Sequence, residues 1–214
     1  MIFRMLTEVS ILPIQSMYFI GDKIITAEVL NKAPLIVKFH NVLSSEECDA
    51  LIEQAKHRLQ RSKLANKEVS VIRTSSGMFF EENESPLIHQ IEQRIAKLMH
   101  IPIEHAEGLQ VLRYEPGEEF KPHFDYFNED HPSSENNRIS TLVIYLNNVA
   151  EGGATTFPAL GLSNKPVKGS AVYFEYFYNN PALNELTLHS GDPVIRGEKW
   201  VATQWMRKKQ IRNV

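Results

Sequence analysis

Residues 108–127 read GLQVLRYEPGEEFKPHFDYF. Two apolar and aromatic runs, Gly108–Tyr114 and Phe120–Phe127, flank a Glu-Pro-Gly turn, which is how paired strands are written rather than a helix. Outward from this stretch, Ile139–Leu146, Ala171–Tyr178, Glu185–Leu188 and Trp200–Met206 repeat the pattern between Gly, Pro and Asn breaks. Short strands at this spacing predict a sandwich or jelly roll. Upstream lies a β-like opening, Tyr18–Ile25 and Leu35–Phe39, and then helical periodicity. Ser44 precedes Glu47 at capping-box spacing, so a helix is expected from Ser45 to Leu59 with Cys48 on its buried stripe. Ser85-Pro86 opens a second helix ending near His100.

The expected architecture is α+β. A double-stranded β-helix, or jelly-roll, core is buttressed by N-terminal helices. One domain should span 34–207, with an N-terminal extension at 1–33 and a basic C-terminal tail at 208–214. The polar stretches Asn128–Asn137 and Arg61–Ser70 read as mobile lids.

Composition narrows the chemistry. With 214 residues, 43% hydrophobic and 23% charged, the chain is an ordinary globular one. Its 23 Lys and Arg against 26 Asp and Glu give a net charge of -3, which offers no general footprint for nucleic acid or an anionic membrane. The apolar N-terminus is broken by Glu8, Pro13 and Gln15, so neither a secretory signal nor a membrane span is expected. A single cysteine excludes thiolate metal sites and disulfide scaffolds and fits the cytoplasm, whereas eight histidines leave imidazole ligation open.

His123-Phe124-Asp125 lies in an apparent strand, where His123 and Asp125 share a face and Phe124 points into packing. Alone, the pair also fits a surface hydrogen bond. His189, after the run Glu185–Leu188 and before a Ser-Gly-Asp-Pro turn, supplies a third ligand. Two histidines and one carboxylate form the facial triad of non-haem Fe(II) oxygenases. The other six histidines fall where structural roles suffice. Lys199 opens a strand with Thr203 on the same face; it is either a solvated strand end or the anchor for the far carboxylate of a dicarboxylic cosubstrate.

Together with Arg73-Thr74-Ser75-Ser76-Gly77, Leu112-Arg113-Tyr114-Glu115-Pro116-Gly117, Glu151-Gly152-Gly153-Ala154-Thr155 and Lys199-Trp200-Val201-Ala202-Thr203, these residues resemble the prolyl 4-hydroxylases, from about Pro34 to Arg207. Short bacterial members are the nearest in kind. The resemblance implies Fe(II) on His123, Asp125 and His189, with 2-oxoglutarate as cosubstrate, dioxygen as oxidant and ascorbate as reductant. It implies that Lys199 binds the remote carboxylate, with Tyr114 and Thr155 as further donors. Tyr114 equally suits a core aromatic, and Thr155 a turn. Arg138, Tyr126, Trp200 and Phe120 are implied at the peptide groove, although Arg138 also suits a surface charge. Phe120 stands where relatives often carry tyrosine, so a phenolic hydrogen bond to the peptide is lost. A proline-containing peptide or protein is the implied partner, and a homodimer the implied assembly. Competing readings are a 2-oxoglutarate-dependent hydroxylase of another amino-acid side chain, and a proline-rich-peptide binding module with a vestigial metal site.

Overall fold

The computed structural model describes residues 9–62 and 72–213. Its strands are β1 (Met17–Ile20), β2 (Lys23–Lys32), β3 (Leu35–His40), β4 (Gln60–Arg61), β5 (Ser76–Phe79), β6 (Gln110–Tyr114), β7 (Phe120–His123), β8 (Arg138–Tyr145), β9 (Glu151–Gly152), β10 (Thr155–Phe157), β11 (Leu162–Asn164), β12 (Ala171–Glu175), β13 (His189–Gly191), β14 (Val194–Arg196) and β15 (Lys199–Arg207). The α-helices are α1 (Ser45–Ala55), α2 (Pro86–Met99) and α3 (Pro181–Glu185).

Nine strands form the larger sheet, in the order β1-β2-β3-β12-β8-β15-β6-β5-β4, and a four-stranded sheet, β11-β10-β13-β7, faces it. All pairings are antiparallel, the arrangement of a jelly roll. Both faces of its central strands β12, β8, β15 and β6 are largely buried, and strand alternation divides their side chains between two cores. Val111, Leu142, Ile144, Tyr173, Ala202 and Met206 pack with helix residues such as Leu51, Ile91 and Ile95. Their neighbours Leu112, Tyr145, Val172, Phe174 and Val201 turn inward, where Phe157 of β10 meets Phe174 edge-on at 5.2 Å.

The helices begin where their caps dictate. Ser44 Oγ accepts from Glu47 N at 3.2 Å and Glu47 Oε2 accepts from Ser44 N at 2.7 Å. Glu47 also takes two hydrogen bonds from the buried Arg94 of α2, at 2.7 and 2.9 Å, which ties the two helices together. The first ends at Ala55, short of Leu59.

Three expectations need correction. Glu185–Leu188 is not a strand: Asn180 caps α3 by accepting from Ala182 N, and Pro181 occupies the first turn, so a helix wins locally. The strand from Phe120 stops at His123, because Phe127 N and O bond to the Asn137 side chain at 2.8 and 2.7 Å instead of to a neighbouring strand. Phe124 therefore lies beyond the pleat and is exposed rather than packed. The N-terminal extension packs on the domain: β2 pairs with β3, and Leu12 and Ile25 sit in the core. The C-terminal tail is anchored as well: Arg212 is buried, bonded to Glu92 at 2.7 and 3.1 Å and to the carbonyls of Ala106 and Glu107 at 2.6 Å. Of the two expected lids, Asn128–Asn137 holds a short 3-10 turn, and residues 63–70 of the other lie outside the described residues.

Candidate active site

β7 and β13 pair so that His123 and His189 are direct cross-strand partners, with ring centroids 4.3 Å apart. Just past the end of β7, Asp125 puts Oδ1 at 3.4 Å from His123 Nε2 and Oδ2 at 3.8 Å from His189 Nε2. One ligand atom from each lies within 4.8 Å of the others, the one such cluster among the described residues.

Each imidazole is oriented by the backbone two residues before it. His123 Nδ1 lies 2.9 Å from Lys121 O and His189 Nδ1 3.0 Å from Thr187 O. A carbonyl only accepts, so Nδ1 carries the proton and Nε2 keeps its lone pair for a metal. Burial opposes the charge on Asp125, but both histidines and Arg138 outweigh it and hold the carboxyl well below the usual carboxylate range. Burial, with His123 adding to it, pushes His189 down to about 4. The donor set is thus one carboxylate and imidazole nitrogens on one side of a cavity, which suits Fe(II) with open positions.

That cavity is lined by Leu112, Tyr114, Thr155 and Val201 beside the three ligands. Lys199, 3% exposed, stands in its wall. Its ammonium is 5.4 Å from the Tyr114 ring centroid and 5.8 Å from that of Tyr145, and it makes no ion pair or hydrogen bond among the described residues. Burial pushes Lys199 down to about 8, with Asp192 opposing. A desolvated cation without a partner is costly, and a ligand carboxylate would relieve it. Gly153 keeps the surroundings clear: an added Cβ would come 3.3 Å from Lys199 Cδ. Thr155 and Tyr114 share the lining. Thr155 Oγ1 accepts from Tyr145 at 2.8 Å, leaving its own proton to donate. Burial raises Tyr114 to about 12, so its hydroxyl stays a donor.

The groove outside the triad is lined by Phe120, Tyr126 and Arg138, among others. Phe120 stacks on His123 with centroids 3.4 Å apart. Arg138 is no surface charge; Glu107 grips it at 2.7 Å through both oxygens, and its Nη1 donates to Asp125 O at 3.2 Å. Trp200 must be corrected. Along β15, Lys199, Val201, Thr203 and Trp205 line the cavity, whereas Trp200 lies in the helix-side core, because adjacent strand residues face opposite ways. Trp205 is the indole at the groove, with the Arg138 guanidinium 4.0 Å from its ring centroid. Thr141, Tyr145, Tyr176 and Glu107 also escaped the sequence reading, for they carry no motif and act only through tertiary partners.

The family described as the 2OG-Fe(II) oxygenase superfamily matches residues 109–207. Probable prolyl 4-hydroxylase 3 of Arabidopsis thaliana is 40% identical over 204 residues, which cover 84% of this chain and 71% of that protein. Prolyl 4-hydroxylase 5 of the same plant is 35% identical over 210 residues, covering 86% and 72%. Among solved structures, the viral collagen prolyl hydroxylase of Paramecium Bursaria Chlorella virus-1, in its 2OG complex, superposes with a TM-score of 0.66 at 32% identity, covering 80% of this chain and 95% of that one. A Pseudomonas putida prolyl-4-hydroxylase shares the fold, with a TM-score of 0.61 at 20% identity over 81% of this chain and 92% of that one.

Proposed function

The chain belongs to the prolyl 4-hydroxylase family of 2OG-Fe(II) oxygenases, and from that premise we propose that it hydroxylates carbon 4 of prolyl residues in a peptide or protein. 2-Oxoglutarate and dioxygen are consumed, and succinate and carbon dioxide are released. The observation that carries this reading is the His123, Asp125 and His189 cluster sharing a cavity with an unpartnered, buried Lys199.

His123, Asp125 and His189 would hold Fe(II), which would supply the redox chemistry by which dioxygen, with 2-oxoglutarate as the two-electron donor, functionalises an unactivated C–H bond. Lys199 takes the cosubstrate carboxylate remote from the metal by a charge-assisted hydrogen bond, with Tyr114 and Thr155 donating to the same ligand. Leu112, Val143 and Val201 give the cavity an apolar lining that excludes water. The peptide lies across Phe120, Tyr126, Arg138 and Trp205, with Phe120 offering a ring face but no hydroxyl. The lone Cys48, buried in the core, supports a reducing cytoplasmic setting, with ascorbate as the reductant that keeps the metal ferrous.

Succinate release with proline-containing peptides, together with mass spectrometry of the product, tests the reading. Hydroxyproline is expected, and His189→Ala should abolish both signals. Lys199→Met should raise the 2-oxoglutarate requirement while metal binding persists. Hydroxylation of lysyl or asparaginyl residues instead, or peptide binding without succinate, would replace this proposal by one of its rivals.

A further inference from the structure

Thr141 lies on β8, fully buried, at a point where the larger sheet passes behind the metal cluster. Its Oγ1 donates to Asp125 Oδ2 at 2.8 Å and lies 2.9 Å from the Tyr176 hydroxyl. A threonine hydroxyl has one proton, and the carboxylate takes it. The second contact must therefore run the other way, with Tyr176 donating to Thr141. Burial, with the Asp125 charge adding to it, raises Tyr176 well above its ordinary value, so that proton is always present. The two hydroxyls form a directed chain ending on one oxygen of the ligand carboxylate.

We propose that Thr141, backed by Tyr176, is a positioning residue that keeps Asp125 a one-oxygen metal ligand. With Oδ2 engaged by Thr141, Oδ1 is the oxygen left to the metal, and it is the one nearer His123 Nε2, at 3.4 Å. Three single-atom donors on an octahedral ion leave three positions. A carboxylate binding through both oxygens would take a fourth, leaving too few for a two-atom chelate and dioxygen together. The inference leans on the hydroxylase reading only for what fills those positions, and metal affinity probes it independently.

Titration of the chelator-stripped full chain with Co(II), followed by calorimetry and by the visible absorption of the bound ion, makes the test. Thr141→Val should weaken Co(II) binding about 10–100-fold, the usual effect of losing a hydrogen bond to a metal ligand. Thr141→Ser, which keeps the hydroxyl, should restore affinity and spectrum, and Tyr176→Phe should fall between. A purely structural role would lower the melting temperature and leave the Co(II) affinity of the folded protein unchanged. Wild-type affinity in Thr141→Val, or equal losses in Val and Ser, would overturn the proposal. If Thr141→Val does not fold, unchanged affinity in Tyr176→Phe would do the same. Loss of peptide hydroxylation elsewhere, with these affinities as expected, would count against the substrate reading alone.

Discussion

Replacing Arg212 by methionine keeps most of the side-chain stem and removes the charge. Arg212 is 3% exposed and Glu92 2%, so the variant leaves a carboxylate buried with no counter-ion. It also strips a donor from Ala106 O, and one from Glu107 O, which keeps only its bond from Gln204. Breaking one side of a buried pair costs about 3–5 kcal/mol. For a chain of this size each kcal/mol moves the midpoint by roughly 2–4 °C, so the melting temperature should fall by about 6–20 °C. The second half of the cycle is Arg212→Met with Glu92→Met. Two apolar chains of similar volume remove the stranded charge, and most of the loss should return. Circular dichroism melts of the three variants and the parent are sufficient. A fall under about 2 °C for the single variant would show that the C-terminal segment peels away at no cost. A double variant no better than the single one would show that the backbone bonds matter more than the charge.

Two further expectations follow from single groups. Burial raises Glu175 to about 7, against hydrogen bonds from Ile11, Leu12 and Ser10. Because its folded value lies above its ordinary 4.5, the protonated form supports the fold; that support is complete below about pH 4.5 and lost as pH rises through 7, worth about 3 kcal/mol. Glu175→Gln should flatten this slope in denaturant midpoints measured at pH 5 and 8, and an unaltered slope would assign the dependence elsewhere. Gly152 has φ +81°, and an added Cβ would sit 2.3 Å from Pro193 O, a backbone atom. Gly152→Ala should therefore lower stability by at least about 1–3 kcal/mol in guanidinium unfolding, and a neutral result would mean that the β9–β14 pair relaxes freely.

The sequence disclosed most where the controlling interactions are local. The helix from Pro86 to Met99 was readable because Ser85, Pro86 and the apolar spacing all lie within it. The inward and outward faces of β8, β12 and β15 were readable only as apolar runs, since both sides are buried. Strands such as β4, β9 and β14 are two or three residues long and exist because a partner is there. His123, Asp125 and His189 could be nominated from residue type and spacing, yet their convergence depends on the pairing of β7 with β13. Trp200 was nominated in place of Trp205, although the alternation that put Thr203 beside Lys199 also reaches 205. The burial of Arg212 is not legible in the basic tail, because its partner, Glu92, lies 120 residues away.

The division of β15 between cavity and helix layer constrains how this protein can be altered. A one-residue insertion or deletion inside Lys199–Arg207 would exchange the two faces, sending Trp200 toward the cosubstrate and an ammonium into the helix-side core. Changes of length there would have to come in pairs or at the strand ends. Substitutions at even positions retune packing, while those at odd positions retune chemistry. For engineering, β15 is a fixed ruler, and Trp205 and Lys199 are marks on its same edge.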